Sequence, residues 1–132
     1  MIGLVQRVKS ASVIVDSKTV ASIQSGLLLM IGFSKGDRRE KIERFVDKIV
    51  SYRIFDDANG RMNESVLEKK GELLVVPQFT LGATTNKGNR PSFSDTMDPE
   101  QAKVFYDRFV ELSRHRIDLQ SGVFGAHMEV QS

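Results

Sequence analysis

The run Gly26-Leu27-Leu28-Leu29-Met30-Ile31-Gly32-Phe33 carries no polar side chain. In an extended chain successive side chains point to opposite faces, so such a run is apolar on both and neither face can be left to water. Its longest uninterrupted apolar stretch, Leu27 to Ile31, is far short of the ~20 residues a membrane helix needs. A central strand covered on both sides is therefore expected, and the rest of the fold has to supply the two covers.

The segments around it supply candidates. Met1 to Val8, Ser10 to Val15 and Thr19 to Ile23 alternate aliphatic or β-branched residues with polar ones, as half-buried strands do. Asp37 precedes Glu40 by three residues, a capping-box pattern, and Ile42, Phe45, Val46, Ile49 and Val50 follow at helical spacing, which predicts a helix over about 38–51. Tyr52 to Phe55 reads as strand, and Asp56-Asp57-Ala58-Asn59-Gly60 is turn chemistry leading into a short hairpin or loop. From Gly71 a strand restarts through Glu72-Leu73-Leu74-Val75-Val76 and runs into Pro77-Gln78-Phe79-Thr80-Leu81. A polar loop over 82–97 follows. Asp98-Pro99-Glu100 then sets an N-cap with proline at the first helical position, and Ala102, Phe105, Tyr106, Phe109 and Leu112 line one face of a second helix. Val123 to Val130 alternates again, with Phe124, Ala126, Met128 and Val130 on one side. The expectation is one α+β domain over 1–132, with a curved, mostly antiparallel sheet forming a partial barrel and two main helices.

Composition narrows the chemistry. At 132 residues, 40% hydrophobic and 27% charged, the chain suits a single globular domain. It has no cysteine, which excludes disulfides, thiolate nucleophiles and cysteine-ligated zinc. With no signal-peptide pattern at its start, the expected location is the cytoplasm. Net charge is only +2, yet a pI near 9.0 leaves room for a local basic surface that meets an anionic partner such as RNA.

Catalytic motifs are sparse. His115 follows the second helix near its C-terminal end and His127 sits on the polar side of the last expected strand, both read as structural or solvated. There is no H-E-x-x-H, phosphate-binding glycine loop or G-x-S-x-G elbow, so neither a metal nor another cofactor is expected. A calcium loop starting at Asp57 would put Arg61 at a ligand position, which rules it out. What remains is the polar stretch after Val76, where Gln78, Phe79 and Thr80 lead into Thr84-Thr85-Asn86-Lys87-Gly88-Asn89-Arg90-Pro91-Ser92-Phe93. From pattern alone this reads first as a strand end with an ordinary polar surface loop.

Five strings, MIGLVQRVKSASVIVD, SYRIFDDANGRMN, LLVVPQFTL, NKGNRPSFS and SGVFGAHMEV, occur in this order and cover residues 1 to about 130. Together they resemble the D-aminoacyl-tRNA deacylase family, formerly described as D-tyrosyl-tRNA deacylases. The resemblance implies a cytoplasmic homodimer that binds tRNA and acts in translation quality control. It would hydrolyse the ester between a D-amino acid and tRNA, and that of glycine mischarged onto tRNA. It also implies that Gln78, Phe79 and Thr80 line the site for the terminal adenosine and aminoacyl ester. The Phe79 and Thr80 backbone N–H groups are then the expected oxyanion donors, for which no Cys or His is required. Thr80 offers a hydroxyl but has no obvious base nearby in sequence, so attack assisted by the tRNA 2′-hydroxyl is favoured over a Thr80 nucleophile. Arg7, Lys87 and Arg90 are candidate phosphate contacts.

The chain departs from the family pattern in two places. Pro77 stands where the family usually has serine, which removes a hydroxyl and a backbone N–H; a related branch of tRNA deacylases carries proline there and acts on a different mischarged species. The family also continues into a final strand bearing Asn-x-Gly-Pro-Val-Thr, whereas these residues stop at Gln131-Ser132. Without the chiral filter that the Gly-Pro pair supplies, relaxed selectivity between D- and L-aminoacyl-tRNA is expected. The competing expectation is a catalytically impaired relative that acts as a dimeric RNA-binding or interaction protein.

Overall fold

The computed structural model describes residues 1–78 and 96–132. Its centre is a four-stranded sheet in the order β1 (Ile2–Val8), β4 (Gly26–Gly32), β7 (Glu72–Pro77), β8 (Leu119–Ser121). β2 (Ala11–Val15) and β3 (Lys18–Ile23) join β9 (Glu129–Gln131) in a second sheet, order β3-β2-β9, and β5 (Phe55–Asp56) pairs with β6 (Met62–Glu64). α1 (Ile42–Val50) and α2 (Pro99–Arg114) complete the α+β fold.

The apolar run that opens β4 is covered on both faces by a strict alternation. Leu27, Leu29 and Ile31, with Leu73 and Val75 of β7, pack against Ile42, Val46, Phe105 and Phe109 of the helices. Leu28, Leu74 and Val76, joined by Met30, pack instead against Val13, Ala21 and Ile23 of the second sheet. The molecule is thus three layers deep: helices, central sheet, second sheet. Close approach of β4 and β7 at their starts requires Gly26, because a Cβ there would fall 1.9 Å from the Glu72 carbonyl oxygen.

Among the described residues four of the six strand ladders are antiparallel, as expected, and the sheets do not close into a barrel. The two parallel ladders, β4 with β7 and β7 with β8, share the crossover logic of α/β units: α1 lies in the first connection and α2 in the second. Pro99 does occupy the start of α2, and the Asp98 carboxylate accepts the Gln101 N–H.

Four local expectations are corrected. Asp37 does not cap α1. Its carboxylate accepts the Ser34 N–H at 2.7 Å and binds the Met1 ammonium, closing the turn after β4, so the chain makes a 3₁₀ turn at Arg39–Lys41 before α1 starts. Tyr52 to Ile54 is not strand, because the Ser51 and Tyr52 N–H groups still bond back to α1 and pairing begins only at Phe55. Val123 to Val130 is not one strand either. Phe124 packs with Tyr106 in the helical layer, the chain turns at Gly125 (φ +81°), and Met128 and Val130 pack against the second-sheet cluster. Apolar residues alternate there because the chain crosses between layers. His127 accordingly lies in this crossing rather than on a strand. Finally, β8 was not expected: Leu119-Gln120-Ser121 is too short and too polar to announce a strand.

The turn chemistry of 56–60 holds. Asp57 Oδ1 accepts the N–H groups of Asn59 (2.8 Å) and Arg61 (3.0 Å), and Gly60 takes φ +77°. The Arg61 N–H foremost, then that of Asn59, holds the Asp57 carboxyl below its usual range.

Candidate functional site

Pro77 ends β7 opposite Ile31 of β4. In a strand, successive N–H groups point to alternate sides. The Gln78 N–H donates to the Ile31 carbonyl at 2.9 Å, so the Pro77 nitrogen faces the other side, towards β8. There the ladder has already ended: Val75 pairs with Ser121, the Gly122 N–H closes onto the Val75 carbonyl at 2.8 Å, and nothing further is paired among the described residues. The proline therefore removes no hydrogen bond from the sheet. Pro77→Ser is expected to change the unfolding free energy by less than about 1 kcal/mol in urea titrations; a loss above about 2 kcal/mol would show that the ring supports the fold.

Beyond these strand ends lies a cavity of about 780 Å³. Its walls come from the ends of β4 (Met30 to Phe33) and β7 (Val76, Pro77, Gln78), the start of α2 (Met97 to Pro99) and the crossing segment Phe124 to Met128. The position follows from topology, since the carboxyl ends of adjacent parallel strands leave a crevice that loops and helix starts enclose. The pieces are fixed by backbone bonds: Ser34 bridges to Thr96, and the Met97 N–H donates to the Phe33 carbonyl at 3.2 Å. On the crossing side, the buried Tyr106 hydroxyl donates to the Gly122 carbonyl at 2.9 Å, and burial pushes its pKa well above the ordinary tyrosine value.

The walls are mainly apolar, with few reactive groups. The titratable lining residues among those described are Asp98, which caps α2, and the exposed His127. Thr96 Oγ1 is buried without a partner among the described residues. No group of three or more His, Asp or Glu side chains among the described residues is arranged to hold a metal ion.

Of the residues singled out from sequence, Pro77 and Gln78 line this cavity. Phe79, Thr80, Lys87 and Arg90 lie outside the described residues. Arg7 lies elsewhere along the sheet: it pairs opposite Leu27, near the start of β4, and its guanidinium is 3.7 Å from the Asp56 carboxylate. The Phe33, Met97 and Phe124 walls were missed as site residues because each looks like ordinary core in sequence. The one available signal was the glycine of Phe124-Gly125-Ala126, which permits the turn that brings Phe124 and Met128 to one cavity.

A sequence model of the family described as D-Tyr-tRNA(Tyr) deacylase matches residues 4–132. A D-aminoacyl-tRNA deacylase of Shewanella sp. strain MR-4 is 48% identical over 132 residues, covering 99% of this chain and 91% of that one. One from Persephonella marina is 48% identical over 130 residues, covering 98% and 88%. Among solved structures, a protein titled c-Myc DNA Unwinding Element Binding Protein superposes with a TM-score of 0.92 at 39% identity, covering 97% of this chain and 88% of its own. A probable eukaryotic D-amino acid tRNA deacylase superposes with a TM-score of 0.82 over 98% and 91%; at 20% identity that likeness concerns the fold.

Proposed function

The chain belongs to the D-Tyr-tRNA(Tyr) deacylase family, and from that premise we propose that it hydrolyses the ester bond of D-aminoacyl-tRNA, releasing free tRNA and the amino acid. The observation that carries this reading is the cavity at the joint ends of β4 and β7, whose rim at Pro77 and Gln78 leads directly into Phe79 and Thr80. Its apolar walls suit the base and side chain at the end of a charged tRNA. Ester hydrolysis needs donors for the oxyanion that develops on the carbonyl oxygen. Pro77 has no N–H and that of Gln78 is engaged by Ile31, so the donors are assigned to Phe79 and Thr80. Water attacks the ester carbonyl with help from the neighbouring 2′-hydroxyl, the carbon–oxygen bond to the ribose breaks, and the 3′-oxygen leaves protonated. Glycyl-tRNA of the wrong tRNA is a second substrate, and Pro77 in place of serine adjusts specificity between mischarged species.

The working unit is a cytoplasmic homodimer that binds tRNA. Support for dimerisation comes from β1, an edge strand on which Ile2 and Leu4 are 42% and 55% exposed, an apolar edge of the kind that association covers. Among the described residues no helix is long and apolar enough to cross a membrane.

Release of labelled amino acid from D-tyrosyl-tRNA and from mischarged glycyl-tRNA tests the reading. Catalytic release of either supports it. Absence of turnover on both, with tRNA still bound, would favour the catalytically impaired, RNA-binding relative.

A further inference from the structure

On the far side of the loop after β4 lies a second groove, lined by Met1, Asp37, Arg38, Lys41, Arg44 and Lys48 together with Gly36 and Phe45. All four of these Arg and Lys side chains are exposed, and none makes an ion pair with another described residue. The single acid of the groove, Asp37, is already engaged by the Met1 ammonium and the Ser34 N–H.

The charge is segregated by helical phase. Lys41, which precedes α1, and Arg44 and Lys48 within it are spaced by three and four, while Glu40, Glu43 and Asp47 repeat the same spacing one residue earlier. One residue is a rotation of roughly 100° about the axis, which offsets the acidic line from the basic one, and none of these three acids lines the groove. On that flank Asp47 is paired with Arg116. Glu40 and Asp47 stand four before and three after Arg44, at spacings that allow pairing, yet neither is ion-paired with it, and the stripe runs about 10 Å without an ion pair among the described residues, the span of roughly three phosphates of one strand.

Its position adds the second half of the argument. The segment from Gly32 and Phe33, which line the large cavity, to Gly36 and Asp37, which line the basic groove, is continuous and pinned by the Ser34 to Asp37 bonds. We propose that the Arg38, Lys41, Arg44 and Lys48 stripe binds the phosphate backbone of the tRNA acceptor stem while the aminoacylated end occupies the cavity. This rests on the deacylase reading for the occupant of the cavity. The stripe makes contacts that carry no sequence information, and it sets affinity and orientation rather than the chemistry.

The test compares the K41Q/R44Q/K48Q variant with a K69Q/K103Q/R108Q control, which removes three cations that are ion-paired elsewhere. Binding of uncharged tRNA is followed by fluorescence anisotropy across a KCl series. Deacylation is measured on D-tyrosyl-tRNA and on D-tyrosine esterified to adenosine alone. The stripe variant is expected to lower the salt slope of binding by about 2 to 3. It should also raise KM for the tRNA substrate at least tenfold with kcat unchanged, and leave the adenosine ester unaffected. Unchanged binding and KM, an equal loss in the control, or an equal loss on the adenosine ester would each overturn the proposal. If the unmodified protein hydrolyses neither ester, the deacylase reading fails separately, and the binding series still decides whether the stripe holds RNA.

Discussion

D-aminoacyl-tRNA whose terminal adenosine lacks the 2′-hydroxyl is expected to be hydrolysed ~10²–10⁴-fold more slowly than the natural substrate, the range a positioned proton-transfer group contributes. The reason lies in the composition of the site. The titratable groups among the described cavity residues are an aspartate that caps a helix and an exposed histidine. Neither is paired with a hydroxyl among the described residues, and the chain has no cysteine. The substrate, in contrast, carries a hydroxyl one carbon from the scissile ester, delivered at high effective concentration by the act of binding. Thr80→Ala should accordingly retain kcat within a factor of a few. Single-turnover rates on the 2′-deoxy and natural substrates, with both proteins, separate the alternatives. Equal rates on the two substrates combined with an inactive Thr80→Ala variant would make Thr80 the nucleophile.

The parts of the fold that were readable from sequence are those in which one physical requirement acts over several residues. A run apolar on both faces had to be central, and Leu27 to Ile31 is buried between helices and second sheet. Asp98-Pro99 had to start a helix because a capping carboxylate and a fixed φ agree there. The failures arise where a residue had two possible partners. Asp37 looks like a helix cap, but the Met1 ammonium and Ser34 N–H, invisible to a local pattern, take its carboxylate. The alternation over 123–130 resembles a strand, but its apolar residues are divided between two cores. Among the described residues the candidate site was legible at Pro77 and Gln78, since motif residues stand out in sequence whereas cavity walls such as Phe33 and Met97 look like core until topology brings them together.

Phe109→Ala is expected to cost about 3–5 kcal/mol of stability, the range for truncating a fully buried phenylalanine. Phe109 is fully buried, and its ring lies 5.9 Å from that of Phe45, so it joins α2 to α1 above the β4 and β7 face. Two losses combine: the transfer free energy of the ring, and the cavity left between two helices that the strand layer beneath holds apart. Against a total of ~5–15 kcal/mol for a domain this size, the variant should unfold at much lower urea with an unchanged slope. The outcome also bears on function. Phe109 is not among the residues lining the cavity at the ends of β4 and β7, whose α2 contribution comes from the helix start and Ala102. Below its own unfolding transition the variant should therefore keep the kcat of the unmodified protein. A folded Phe109→Ala protein with sharply reduced kcat would mean that the packing of α2 against α1 positions the cavity walls, and that the layers transmit strain to the site.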